Sequence, residues 1–384
     1  MTRLDADVAV VGVGSMGSQA LWQLARRGVS ALGIEQFAPG HDRGAGHGES
    51  RIIRSCYQEG PQYVPLVLEA FRLWRELSAE SGEVLLTENG ALYVGRTADG
   101  YLDDVRRTGD AYGLPYERLT REEAARRFPQ HRLDRGESAF LDLRAGFVRP
   151  EQAIRAAVRC SERRGARLLT RVCVEHVAER TDHVEIATSA GVVRVGRAIV
   201  CAGAWTGKVL PGAGLRLVVE RQVMLWFRAI RPGEFLPDRF PIFIREREQE
   251  KTWYGFPTLD GSTVKAAIHH DGPEADPDRL DREIHPADAA PVSALVSAAL
   301  PGLDPEPVRG VACMYTNTED GDFVLGHLPG SERVILLGPM AGHGFKFASA
   351  IGRIGADVAV EGVTDLPIEP FSPARFQPAT RPGT

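Results

Sequence analysis

The alternation of apolar and polar residues predicts an α/β chain that opens on its clearest unit. Val8-Ala9-Val10-Val11 is a short, largely β-branched run that stops at Gly12, as a strand buried on both faces does. In 18–27, Ala20, Leu21, Leu24 and Ala25 share one helical face, and Gly28 supplies the stop. A second strand covers 31–34 and is closed by Glu35. Further helices are predicted over 61–78, over 150–165 with Pro150 at the first helical position, and over 286–300. A capping box, Thr120-Arg-Glu-Glu123, opens a short one. Short strands are predicted over 91–95, 168–174, 192–200, 309–312 and 333–337, and longer ones of a second sheet over 215–227, 252–256 and 263–269. A helix of small residues follows Gly342-His343-Gly344-Phe345-Lys346 and runs to about Val360. Beyond Thr364, five prolines predict an irregular tail.

Composition narrows the class. The 384 residues allow two or three domains. A net charge of −5 lacks the basic footprint of a dedicated nucleic-acid binder. No apolar run reaches the roughly 18 residues of a membrane span. Asp5 and Asp7 precede only a short apolar run, unlike an export signal, so the expectation is a soluble cytoplasmic protein. Five cysteines (Cys56, Cys160, Cys173, Cys201 and Cys313), without CxxC, argue against a disulfide framework or zinc site. Arginine pairs such as Arg106-Arg107 read as solvated helix faces. Of 46 basic residues only Lys208, Lys251, Lys265 and Lys346 are lysine. In so arginine-rich a chain, a lysine hints that a compact ammonium is wanted, although about half of the four are expected to be ordinary surface residues.

The opening unit carries chemistry. Gly12, Gly14 and Gly17 form GxGxxG between strand and helix, and Glu35 follows 23 positions after Gly12. The glycines let backbone approach a pyrophosphate at a helix N-terminus, and the acid accepts from ribose hydroxyls. The pattern fits FAD and NAD equally. Arg51-Ile-Ile-Arg54 follows a Gly/His-rich loop, and its two arginines share one side if the segment is helical. Gly342 to Lys346 is a glycine-flanked turn from strand to helix that brings His343 and Lys346 to one cleft, or simply a tight turn. Cys313, beside Met314 and Tyr315, reads on its own as a small core residue.

Together these pieces resemble a known family. GxGxxG with Glu35, Gly44-Ala-Gly-His-Gly-Glu-Ser-Arg51 leading to Arg54, Cys201-Ala-Gly-Ala-Trp-Thr206, Tyr254-Gly-Phe-Pro257, Lys265, Cys313-Met-Tyr-Thr316 and Gly342-His-Gly-Phe-Lys346 occur in this order. The chain resembles the monomeric sarcosine oxidase and N-methyltryptophan oxidase family of FAD-dependent amine oxidases over about residues 5 to 365. The resemblance implies FAD joined covalently to Cys313, with Gly12, Gly14, Gly17, Glu35, Val174 and Gly344 also binding it. Lys265 matches the lysine where oxygen is reduced. Arg54 and Lys346 match the pair holding a substrate carboxylate, and Arg51 an arginine near the flavin ring. Tyr254, His269, Tyr315 and His343 match residues lining the substrate cavity. Ala341, Glu319-Asp-Gly-Asp322 and the charged run Arg245-Glu-Arg-Glu248 depart from the family pattern and leave the amine open.

The expected fold is a Rossmann-like FAD domain (1–85, 145–212 and 308–365) interleaved with a substrate domain on a mostly antiparallel sheet (86–144 and 213–307), with a tail over 366–384. The expected reaction passes a hydride from the C–H beside the amine of a secondary amino acid to flavin, giving an imine and H₂O₂. The substrate is a small molecule, sarcosine, a bulkier N-methyl amino acid or a cyclic imino acid, with O₂ as co-substrate and no nucleic acid or membrane partner. A monomer is expected, without a metal. The alternatives are an NAD(P)-dependent dehydrogenase, a D-amino-acid or glycine oxidase type with non-covalent FAD, and a silent flavoprotein serving as a binding module.

Overall fold

The computed structural model describes residues 3–96, 100–247 and 251–377. Two large sheets organise them. In the first, Ala6–Val11 lies parallel between Ala31–Glu35 and Gly191–Val200. Arg167–Thr170 extends it beyond Ala31–Glu35, also in parallel. Val334–Leu337 pairs in parallel with the C-terminal half of Gly191–Val200, and the hairpin Val174–Glu179 with Val184–Thr188 continues from its N-terminal half. Side chains alternate across the strand, so Val8 and Val10 pack under the helices while Ala9 and Val11 join Val177, Ile186 and Val209 on the other face.

The helix Ser15–Arg26 packs against Pro150–Arg163 and Ala348–Glu361. Small residues make this close approach possible. A Cβ on Gly17 would stand 1.8 Å from the Gly12 carbonyl oxygen, and one on Gly352 2.5 Å from the Gln19 backbone.

The second sheet has the order Leu303–Asn317, Val218–Ala229, Thr263–Ile268, Thr252–Gly255, Ile242–Glu246, Ala91–Arg96, Glu137–Asp142, Tyr116–Leu119. Every neighbouring pair is antiparallel except Ile242–Glu246 with Ala91–Arg96. One face, with Leu225, Phe227, Val264 and Ala266, packs under the helix Pro286–Ala299. The opposite parity carries Met224, Trp226, Ala267 and Cys313. Lys265 shares that parity, which turns it away from the apolar core.

Several expectations change. Arg51–Ile53 is a strand paired with Gly146–Val148, so Arg51 and Arg54 do not share a helical side. The strand expected over 168–174 is two, at opposite edges of the sheet, separated by Arg171 at φ 59°. Arg245 belongs to a strand and is buried against Glu137 (3.0 Å), whereas Glu248 lies outside the described residues. The border expected at 308 falls inside the strand Leu303–Asn317. In the tail, Glu369–Phe371 and Pro373–Phe376 form single 3₁₀ turns, and 378–384 lie outside the described residues. The capping box at Thr120 is formed as expected, and so is the helix from Pro150. Among the described residues no helix is long and apolar enough to cross a membrane.

Candidate active site

A cavity of about 770 Å³ is lined from both sheets, within the size range of cofactor and ligand sites. At one end Gly12, at φ 82°, lies so close to Cys201 that a Cβ would stand 2.6 Å from its carbonyl oxygen. Gly14 borders open space, where a Cβ would meet nothing within 4 Å. The helix beginning at Ser15 has neither a side-chain cap nor an acid in its first turn. Its first amides are therefore left for an anion, as a dinucleotide pyrophosphate requires. Glu35 is buried, with Oε2 accepting from Val13 N–H (2.8 Å) and Oε1 from Phe37 N–H (2.9 Å). Each oxygen keeps lone-pair capacity for a ribose hydroxyl. Val174 lines this end beside Trp205 and Lys208, and Gly344 lines the wall beyond Met340.

In the middle of the cavity, Cys313 meets Arg51, whose Nη2 is 3.5 Å from the sulfur. Burial pushes the thiol up, but a hydrogen bond from His47 and the Arg51 charge outweigh it and bring the pKa down to about 7. Lys265 is buried, donating to the carbonyls of Gly48 (2.6 Å) and Ser50 (2.7 Å), with its nitrogen 4.0 Å from the Phe256 ring centroid. Burial, then the Arg51 charge, holds its pKa well below the ordinary lysine value.

Beyond lies a cationic pocket. Arg54 pairs with Glu59 and lies over the Tyr57 ring (4.4 Å), while its Nη1 is buried without a hydrogen-bond partner among the described residues. Lys346 donates to His343 O (2.7 Å) and to the Tyr57 hydroxyl (3.3 Å). Burial and the Arg54 charge lower its pKa to about 7. The Tyr57 hydroxyl in turn lies 2.6 Å from His343 Nδ1. Burial brings the His343 pKa to about 3, and holds His269 well below its ordinary value, so both rings are neutral near pH 7. His269 Nδ1 contacts the Tyr315 hydroxyl (3.1 Å), and Tyr254 completes the wall.

The expected residues thus converge on the cavity, apart from Gly17, which is packed under the turn it permits, and Lys265, which is buried behind the lining residue Phe256. Arg51 and Arg54 reach the same cavity from a strand and its end, each to a different neighbour. His47, Tyr57 and Glu59 were not anticipated. An acid five positions from a clamp cation was the available sign for Glu59, whereas His47 and Tyr57 act through partners distant in sequence.

The family description "FAD dependent oxidoreductase" matches residues 7–358. The chain belongs to this family. It is 36% identical to a monomeric sarcosine oxidase of Streptomyces avermitilis, over 97% of this chain and 98% of that protein. It is 32% identical to an N-methyl-L-tryptophan oxidase of Salmonella newport, over 96% and 99%. Among solved structures, an open form of NikD, an unusual amino acid oxidase essential for nikkomycin biosynthesis, superposes with a TM-score of 0.86 at 26% identity over the full length of both chains. FAD is therefore the dinucleotide, and the glycine turn, the uncapped helix and Glu35 fit its ADP part. The NAD(P)-dependent alternative is set aside by the family.

Proposed function

We propose that this flavoenzyme oxidises a secondary amino acid with O₂, giving an imine and H₂O₂. The observation that carries the reading is the buried Arg54, whose Nη1 has no hydrogen-bond partner among the described residues, with Lys346 beside the same Tyr57 ring, both lining a cavity that Cys313 also lines and behind whose Phe256 Lys265 is buried. FAD, when bound, supplies the acceptor for the hydride lost from the C–H beside the amine.

The chain's own residues bind and orient. Arg54 and Lys346 hold the carboxylate, which fixes the C–N unit in one pose. Neutral His269 and His343 keep positive charge away from the amine nitrogen, whose uncharged form reacts. Tyr254 and Tyr315 close the cavity around it. The two carbonyls on Lys265 hold its N–H donors in place, and negative charge arriving on oxygen favours the ammonium form. Cys313, with a pKa near 7, is substantially thiolate above neutrality, as covalent attachment of FAD requires. Arg51, beside that sulfur, favours the thiolate. A monomer in the cytoplasm belongs to the same reading, and the relatives named monomeric support the first part.

An anaerobic screen of secondary amino acids tests it. At least one N-methyl or cyclic amino acid is expected to bleach the flavin, and air to restore it with release of H₂O₂. Bleaching only by primary D-amino acids or glycine would favour the glycine oxidase type instead. Bleaching by no amine, with a stable protein partner in pull-down, would favour the silent flavoprotein.

A further inference from the structure

One polar cluster in the cavity wall has no part in this chemistry. Glu220, on the strand Val218–Ala229, is buried and saturated with donors. Its Oε1 accepts from the Gly272 backbone N–H (3.0 Å) and the Gln222 amide (2.5 Å). Its Oε2 takes Asn317 Nδ2 (2.8 Å) and His270 Nδ1 (3.0 Å). His270 has φ 53°, a left-handed conformation uncommon outside glycine. Its ring lies against His269 (4.2 Å between centroids) and Tyr315 (5.0 Å), and it lines the cavity with 40% of its side chain exposed.

Counting donors fixes the polarity of this wall. An ionised carboxylate only accepts. The Gly272 N–H cannot be reversed, so Oε1 must stay an acceptor. Oε2 therefore faces two side chains that both donate. A neutral His270 then carries its proton on Nδ1, and Nε2 remains as the acceptor it offers to the cavity.

We propose that His270, oriented by Glu220, is a specificity subsite that accepts a hydrogen bond from a hydroxyl or ammonium at the far end of the substrate. The proposal rests on the amino acid oxidase reading and adds a substrate class: amino acids with a distal donor. The same count predicts the result of Glu220→Gln. The new amide keeps its oxygen on Gly272 and places its NH₂ where Oε2 was. Asn317 turns its amide over, which sacrifices no bond at Oδ1, an atom without a partner among the described residues. His270 moves its proton to Nε2, and the cavity wall changes from acceptor to donor.

Anaerobic calorimetry on the holoenzyme tests this. The probes are N-methyl amino acids of matched length ending in methyl, hydroxyl, ammonium or methyl ether. The wild type is expected to bind the hydroxyl or ammonium member about 3- to 10-fold more tightly than the alkyl one, the range of one hydrogen bond, and the ether no more tightly. Glu220→Gln is expected to erase that preference and favour the ether. His270→Gly, compatible with the positive φ, is expected to abolish both preferences and serves if Glu220→Gln does not fold. A wild type indifferent to the terminal group, or binding no probe, overturns the subsite, as does a donor preference that survives either substitution. Flavin bleaching by the same probes is scored separately. Bleaching without discrimination removes the subsite alone, whereas discrimination without bleaching by any probe removes the oxidase reading and leaves the subsite.

Discussion

The lysines divide sharply by environment. Lys208 and Lys251 are exposed and paired with Asp276, Asp278 and Asp271, Lys208 at the edge of the cavity, whereas Lys346 is buried in its wall and Lys265 is buried behind Phe256. Lys346→Met should weaken carboxylate ligands by about 2–4 kcal/mol, the cost of truncating a buried charge-assisted contact, and leave amines without a carboxylate nearly unaffected. Equal losses for both classes would assign it to folding or the cofactor. Its lowered pKa also sets a pH dependence. A bound carboxylate restores the lysine charge, so above about pH 7 binding must take up a proton. Affinity for propionate should fall with rising pH through that point, and calorimetry in buffers of different ionisation heat should register the uptake. Flat affinity from pH 6 to about pH 9 would show that Lys346 is already charged. Lys265→Met should slow reoxidation of the reduced flavin by about 10²–10³-fold, the typical loss of a preorganised charge, with a smaller effect on anaerobic reduction. Stopped-flow traces of the two half-reactions separate the cases, and equal slowing of both contradicts an oxygen role.

At the scale of elements, helix packing is the sensitive feature. Gly352→Val sets methyl groups against the backbone of Gln19 and should destabilise by about 1–3 kcal/mol as overpacking. Thr120→Ala removes one half of a formed capping box and should cost about 1 kcal/mol in urea unfolding. An unchanged midpoint in either variant would mean that the helix shifts to absorb the change. These elements were legible because their signals are local: a glycine turn, a cap, a proline at a first helical position. The strand at Arg51 was not, since three residues are extended there through pairing with Gly146–Val148, far away in sequence. The break at Arg171 occurs without the glycine or proline that would announce it. The strand Ile242–Glu246 was hidden by Arg245, whose burial depends on Glu137 more than a hundred positions earlier. The site was legible through its motifs, but the partners that set its charges were legible unevenly: Glu59 stands five positions from Arg54, whereas His47 meets Cys313 only in three dimensions.

For the whole molecule, covalent attachment is the decisive question. Acid precipitation of mature enzyme should give a yellow pellet, and Cys313→Ala should release the colour to the supernatant. A yellow supernatant from wild type would show FAD held without the bond, as in the glycine oxidase type. The loop before Arg51 bears on this. Glu151, on a helix of the first layer, binds its Gly48 N–H (2.6 Å), while Lys265, on the second sheet, binds the carbonyl of the same residue. The loop carries Ala45, His47 and Arg51, the neighbours of the Cys313 sulfur. Gly48 is thus held from both sides, by one layer through its N–H and by the other through its carbonyl. On the covalent reading, attachment then draws on both halves of the molecule, because the neighbours that favour the Cys313 thiolate reach the sulfur on a segment that both halves hold.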